Sequence, residues 1–247
     1  MKGDSIRVGS WDKGIAYDDL KRKIITLYNE LSNRDTKTNW KRISYLTVYA
    51  IQLRNALRIS EALESFLRFA FEVYPNNAKS KKRKIETEVL VAKKKYVSYD
   101  KKKNEWKWKK LDFRRVIFPS WFPNERMSFK TFMGKLLEKS YIVEMYKPVY
   151  NDWMDYIKEL EEVIRNKEER IPEKPESFER LVKNLKKRCE KLLGVNTHTL
   201  RYAYITYLLE KGYSPSLIAK ITHHSNLNFI LKYTQQKQAE RILENIE

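Results

Sequence analysis

Residues 87–92 have the sequence Thr-Glu-Val-Leu-Val-Ala, and residues 113–118 have the sequence Phe-Arg-Arg-Val-Ile-Phe. Both segments are short and rich in β-branched or aromatic side chains, a composition typical of β-strands. Between them, the polar run Asp-Lys-Lys-Lys-Asn at 100–104 predicts the tip of a hairpin. The sequence therefore predicts a small antiparallel sheet within a basic hairpin region at about 85–118.

The rest of the chain has apolar residues at helical spacing. Stripes of this kind lie at about 20–31, 40–50, 60–73, 153–164, 178–192 and 202–211. The proline-containing segment 171–175 predicts an exposed connection, and two further short helices are predicted at about 227–235 and 238–245. The expected fold class is mainly α with a small antiparallel β-sheet.

Composition limits the class of protein. The chain has 247 residues, of which 42% are hydrophobic and 13% aromatic, enough for one large globular domain. No apolar run approaches the roughly 20 residues that span a bilayer. The single cysteine, Cys189, cannot form an internal disulfide or a zinc-binding cysteine cluster. We therefore expect an intracellular protein that does not associate with membranes.

The charge of the chain indicates a polyanionic partner. Lysine and arginine total 51 against 32 acidic residues, which gives a formal net charge of +19. Residues 79–115 contain 16 of these basic residues and only five acidic ones. Neutralising phosphates releases condensed counterions, so a cluster of this density favours nucleic acid.

A group of chemically active residues follows in a fixed order. The segment His198-Thr199-Leu200-Arg201 places an imidazole and a guanidinium three residues apart, near a predicted helix start. His224 comes 23 residues after Arg201, and Tyr233 nine residues after His224. Upstream, Arg58 lies within Leu-Arg-Ile-Ser-Glu, at the start of the third predicted helix.

This order and spacing resembles the catalytic domain of tyrosine recombinases, the integrase family. Its members carry an arginine in a similar Leu-Arg-Ile-Ser-Glu segment, a hairpin lysine, a His-x-x-Arg box, and a tyrosine nine residues past a second histidine. The matching residues are Arg58, His198, Arg201, His224 and Tyr233. The resemblance covers about 15–247 and implies the tyrosine recombinase catalytic-domain fold, with an N-terminal extension at 1–14 and a C-terminal helix at about 238–247.

The resemblance implies strand cleavage through a covalent 3′-phosphotyrosine. Arg58 and Arg201 would clamp the phosphate oxygens, because arginine donates paired, charge-assisted hydrogen bonds. His224 would donate a further hydrogen bond. Tyr233 would be the nucleophile, and His198 would act on its proton as base or orienter.

A hairpin lysine would protonate the leaving 5′-oxygen. Lys93 is preferred because it follows a predicted strand, with Lys95 as the reserve on the same face and Lys82 as the alternative closer to the usual distance from Arg58. Glu61 matches an acidic position that buttresses an arginine in the family. Further DNA contacts are expected from Lys81, Lys82, Arg83, Lys84, Lys94 and Lys95.

Double-stranded DNA is the expected partner, with four protomers assembled on two DNA sites. No metal and no other cofactor is expected, because the phosphotyrosine retains the energy of the broken bond. Two positions depart from the family pattern, Tyr202 for a common histidine and His223 for the usual glycine. The alternatives are a type IB topoisomerase or telomere resolvase, and a catalytically idle DNA-binding regulator on the same fold.

Overall fold

The computed structural model describes residues 16–75, 88–92, 97–108 and 113–222, with the backbone alone for 88–92. The helices in these ranges are α1 (Tyr17–Ser32), α2 (Lys37–Asn55), α3 (Ile59–Arg68), α4 (Phe129–Leu137), α5 (Ser140–Asn166), α6 (Glu176–Leu193), α7 (Thr197–Glu210) and α8 (Pro215–Thr222). A π-helical turn, Phe69–Val73, continues α3. The strands are β1 (Glu88–Ala92), β2 (Val97–Asp100), β3 (Glu105–Trp108) and β4 (Phe113–Ile117).

The strands form two nested antiparallel pairs. β1 pairs with β4, with Glu88 opposite Ile117 and Ala92 opposite Phe113. β2 pairs with β3 inside this outer pair, and the turn between them lies at 101–104. The indole Nε1 of Trp108 donates to the Glu168 carbonyl at 2.9 Å, which holds the inner hairpin against the end of α5. The predicted fold class and the predicted hairpin tip are confirmed.

The core of the described chain is built around α2. Residues 43–53 of this helix are all buried, and it packs against α1, α3 and α7. Its buried hydroxyls have partners on distant helices: Ser44 shares a hydrogen bond with the Tyr146 hydroxyl at 2.8 Å, and Tyr49 donates to the Leu185 carbonyl at 2.7 Å. Burial along this length fixes the C-terminal part of α2, and the chain that leaves this end leads directly to Arg58.

Helix boundaries differ from the sequence predictions in three places. α7 begins at Thr197, five residues earlier than predicted, because Asn196 caps it by accepting from the Thr199 backbone N–H at 3.0 Å. α5 begins at Ser140, well before the stripe at 153–164, and accommodates Pro148 in its interior. α4 was not predicted, since its nine residues are too few to show a clear helical period.

No helix in the described part of the chain combines the length and the apolar character needed to cross a membrane.

Candidate active site

Arg58 and Glu61 form the first part of the site, at the start of α3. The chain leaves α2 through Ala56, whose φ is 48°, and Arg58 then takes an extended conformation as the N-cap residue of α3. The Glu61 carboxylate accepts from the Arg58 backbone N–H and from its Nη1, both at 2.9 Å. Glu61 is buried, whereas 44% of the Arg58 side chain is exposed. The guanidinium is thereby held in place while it faces solvent.

Arg201 approaches the same carboxylate from α7. Its side chain is only 5% exposed, and its Nη1 lies 3.9 Å from Glu61 Oε2. Its Nη2 donates to the Thr222 carbonyl at 3.2 Å, at the end of α8. The pKa of Arg201 is lowered to about 10. Burial is the largest cause, and the positive charges of Arg58 and Arg114 act in the same direction, whereas the negative charge of Glu61 acts in the opposite direction. Arg201 therefore remains charged at neutral pH.

Arg114 is a third arginine on Glu61, and the sequence analysis did not select it. It lies on β4, is 3% exposed, and its Nη1 donates to Glu61 Oε2 at 3.3 Å. The pattern of β4 alternates, with Arg114 and Val116 inward and their neighbours outward. The sequence signal for a buried Arg114 was the alternation of side chains between the two faces of a strand, which places Arg114 on the same face as Val116. We call Arg58, Arg114 and Arg201 around Glu61 the arginine cluster.

Gln52 is a second residue that the sequence analysis did not select. Its side chain is buried in α2, and its Nε2 donates to the Leu57 carbonyl at 3.1 Å and to the Thr197 carbonyl at 2.9 Å. These carbonyls immediately precede Arg58 and His198 in the chain. One amide therefore joins the segment before Arg58 to the segment before His198, and Gln52 and Thr197 are 145 residues apart in sequence. No sequence pattern marks such a long-range contact.

His198 lies in the first turn of α7, on the exposed side of the site. Partial desolvation lowers its pKa below the ordinary value of 6.5, and the positive charges of Lys186, Arg201 and Arg58 lower it further. At neutral pH the imidazole is therefore uncharged, and it can accept a proton.

A cavity of about 400 Å³ lies beside these residues. Arg58, Glu61, His198 and Arg201 line it, so the structure brings together every described residue that the sequence analysis placed at the site. The arginine cluster sets three guanidinium charges against one carboxylate. The excess positive charge of the cluster favours the binding of an anion. Arg58 can contact a bound anion because its side chain is partly exposed.

The remaining candidates lie outside the described residues. They are Lys82, Lys93, Lys95, His224 and Tyr233, the DNA-contact candidates Lys81, Arg83, Lys84 and Lys94, and the predicted segments 1–14, 227–235 and 238–247. Among the residues that are described, no group of three or more His, Cys, Asp or Glu side chains is arranged to hold a metal ion.

Comparisons with known proteins identify the family to which the chain is similar. Residues 105–240 match the model of the phage integrase family. An uncharacterized protein of Methanocaldococcus jannaschii is 32% identical over 240 residues, which cover 96% of this chain and 89% of that protein. The Sputnik virophage protein named "Putative integrase V10" is 27% identical over an alignment that covers 95% of this chain and 89% of that protein. The Acidianus two-tailed virus protein named "Putative integrase ORF241" is 50% identical over 54 residues, 22% of each chain.

No solved structure is significantly similar to the chain. The fold and the site define a helical domain with a small antiparallel sheet and a cluster of arginines beside a cavity. The family model also matches more than half of the length of the chain. The chain therefore belongs to the phage integrase family. At the level of that family it is a site-specific, DNA-acting recombinase of the tyrosine class.

Proposed function

We propose that this protein cleaves and rejoins double-stranded DNA through a covalent bond between Tyr233 and a 3′-phosphate. The observation that carries the proposal is the convergence of Arg58, Arg201 and His198 beside one cavity, with Glu61 holding both arginines. This arrangement is suited to a single phosphodiester, since Arg58, Arg201 and His198 all line the same cavity.

The arginines stabilise the charge that builds on the phosphate during attack. As the phosphorus becomes five-coordinate, its non-bridging oxygens gain negative charge, and donors already in place stabilise them without reorganisation. Arg58 offers its exposed guanidinium to these oxygens, and Arg201 supports it from the buried side. His224 supplies one more hydrogen bond.

Tyr233 attacks through its phenol oxygen. Phenol has an ordinary pKa near 10, so attack at neutral pH requires removal of its proton. His198 takes that proton, which agrees with the lowered pKa that leaves its imidazole uncharged. The bond from phosphorus to the 5′-oxygen breaks, and the bond from phosphorus to the Tyr233 oxygen replaces it.

The departing 5′-oxygen receives a proton from Lys93. Lys95 and Lys82 are the alternatives. DNA with sulfur in place of this oxygen distinguishes them, because a thiolate leaves without a proton. Only the variant that lacks the true donor should recover its cleavage rate on such DNA.

The reaction is recombination between two DNA sites, carried out by four protomers and requiring neither metal nor other cofactor. Dependence of the rate on two sites separates this function from that of a type IB topoisomerase or telomere resolvase. Reversal of the attack by a 5′-hydroxyl from the partner site restores the phosphodiester and frees Tyr233.

The decisive experiment compares Tyr233→Phe with the wild-type protein on a nicked DNA substrate that traps the covalent adduct. Wild-type protein should accumulate adduct, and Tyr233→Phe should form none while binding DNA normally. Tyr213→Phe is the matched control, since Tyr213 is an exposed tyrosine just past α7. Adduct of undiminished yield from Tyr233→Phe would remove this residue from the mechanism. No adduct from wild-type protein on any cleavable site would favour the idle regulator.

A further inference from the structure

The charged side chains that line the cavity all have an ion-pair partner in the described part of the chain, with one exception. These side chains are Arg58, Glu61, Glu64, Lys174, Glu179, Lys186 and Arg201. Glu61 pairs with Arg58 and Arg201. Glu64 pairs with Arg68 at 2.9 Å, and Glu179 pairs with Lys174 at 3.1 Å. Lys186 is the exception, so each carboxylate of the cavity is already held by another cation.

Lys186 belongs to a stripe of α6 that faces the cavity. Phe178, Val182 and Lys186 follow one another at intervals of four residues, which places them on one face of the helix, and all three line the cavity. Phe178 and Val182 are buried, whereas Lys186 is exposed. The stripe therefore leads from the apolar part of the cavity to a solvated ammonium group.

This ammonium group lies near His198, the proposed base. Desolvation is the largest cause of the lowered pKa of His198, and the positive charge of Lys186 is the next, ahead of Arg201 and Arg58. Because the effect of a charge weakens with distance, this order indicates that Lys186 is close to the imidazole. Cations thus reach the cavity from three elements, the start of α3, α6 and α7.

We propose that Lys186 is a further DNA-binding residue of the active site, which contacts the strand backbone beside the phosphate held by Arg58 and Arg201. The inference rests on the proposed function, since it takes that phosphate as the reacting one. An exposed lysine without a carboxylate partner is free to contact a phosphate, and release of condensed counterions favours the contact. Its position beside His198 distinguishes it from the other exposed lysines of α6.

The first test measures non-covalent DNA binding by Lys186→Gln at several salt concentrations. We expect the slope of the logarithm of the binding constant against that of the salt concentration to fall by about 0.9, whatever the DNA sequence. Lys191→Gln is the matched control, since Lys191 is an exposed lysine of α6 that does not line the cavity. It lies about 140° around the helix from Lys186. An unchanged slope for Lys186→Gln, or an equal reduction in Lys191→Gln, would overturn the proposal.

The second test locates Lys186 beside His198 in the free protein. The pKa of His198 is measured by NMR titration, and its imidazole signal is assigned by its absence from His198→Gln. Lys186→Gln should raise this pKa, because the variant loses a positive charge that opposes protonation. Lys186→Arg and Lys191→Gln should leave it close to the wild-type value. A pKa that does not rise in Lys186→Gln would place Lys186 away from the site and overturn the proposal.

Adduct formation separates binding from proton donation. Any effect of Lys186→Gln should be the same on ordinary DNA and on DNA with sulfur at the 5′-bridging position. A defect that sulfur relieves would make Lys186 the proton donor and would overturn the binding role. Absence of adduct from wild-type protein would instead reject the proposed function, while the salt slope and the pKa of His198 would still decide the role of Lys186.

Discussion

Two basic regions of this protein hold their positive charge in opposite ways. In the arginine cluster, Arg114 and Arg201 are almost completely buried and share the Glu61 carboxylate with Arg58. In the inner hairpin, the lysines at 101–103 are exposed on the turn between β2 and β3. The hairpin also has an exposed ion pair, Lys107 with Asp100 at 2.6 Å. Both regions attract anions, but only the cluster fixes where its charges lie.

The difference follows from solvation. An exposed lysine keeps its hydration and its rotamer freedom, so it contributes to the field around the protein without defining the position of a bound phosphate. A buried guanidinium requires partners, and those partners hold it at one place. We infer that the hairpin raises affinity for DNA and that the cluster orients one phosphodiester for reaction. The predictions below test this division, beginning with the largest expected effect.

The largest effect should come from removal of the shared carboxylate. Glu61→Gln has nearly the same shape but removes the negative charge that the buried Arg114 and Arg201 share. We expect the free energy of unfolding to fall by about 3–5 kcal/mol, as for other buried ion pairs broken on one side. Urea denaturation measures it. Asp35→Asn is the matched control, because Asp35 makes an exposed ion pair with Lys139.

The control should leave the denaturation midpoint almost unchanged. Equal losses of stability in Glu61→Gln and Asp35→Asn would contradict the view that the cluster depends on buried pairing. A Glu61→Gln protein as stable as wild type would show that the three guanidiniums are solvated much like the hairpin lysines.

The pH dependence of cleavage should come from His198, which lines the same cavity as Arg58, Glu61 and Arg201. In the hairpin, hydrogen bonding to Asp100 raises the pKa of Lys107 above its ordinary value. His198 has a lowered pKa, so it stays uncharged until the pH falls below the ordinary value of 6.5. Single-turnover adduct formation should therefore be flat near neutrality and then fall, by about tenfold per pH unit below the pKa of His198.

His198→Gln provides the comparison, because its side chain does not titrate. We expect a slower reaction whose rate no longer falls with acidity in this range. The same acid limb in His198→Gln as in wild type would assign the titration to another group and remove His198 as the base. Protonation of His198 also destabilises the fold. Because the pKa of His198 is lower in the folded protein than in the unfolded chain, the unfolded chain binds the proton more readily as the pH falls.

Much of this contrast could be predicted from the sequence. Arg58, His198 and Arg201 were selected because the short segments that contain them, Leu-Arg-Ile-Ser-Glu and His-Thr-Leu-Arg, resemble motifs of the integrase family. The β-branched composition at 87–92 and 113–118 likewise predicted β1 and β4. Arg114 was not selected from the sequence, although the alternation of side chains along β4 places Arg114 and Val116 on the same face. Burial of an arginine depends on a carboxylate from another element, and no local pattern reports that Glu61 lies opposite.

The smallest effect should come from the hairpin lysines. Replacing the lysines at 101, 102 and 103 together with alanine removes three exposed charges without touching the buried core. We expect weaker DNA binding and a shallower dependence of the binding constant on salt, with the slope reduced by about 0.9 for each lysine that contacts a phosphate. Titrations at several salt concentrations measure this slope.

The rate of adduct formation at saturating DNA should stay at the wild-type value, because these lysines do not orient the reacting phosphate. Lys158→Ala is the matched control, since Lys158 is an exposed lysine on α5, paired with Asp155 at 3.0 Å. Its removal should leave both the salt slope and the rate unchanged. If the triple variant cleaves slowly even when every molecule is bound, then the hairpin takes part in positioning the phosphate. In that case the two regions would differ in exposure but not in role.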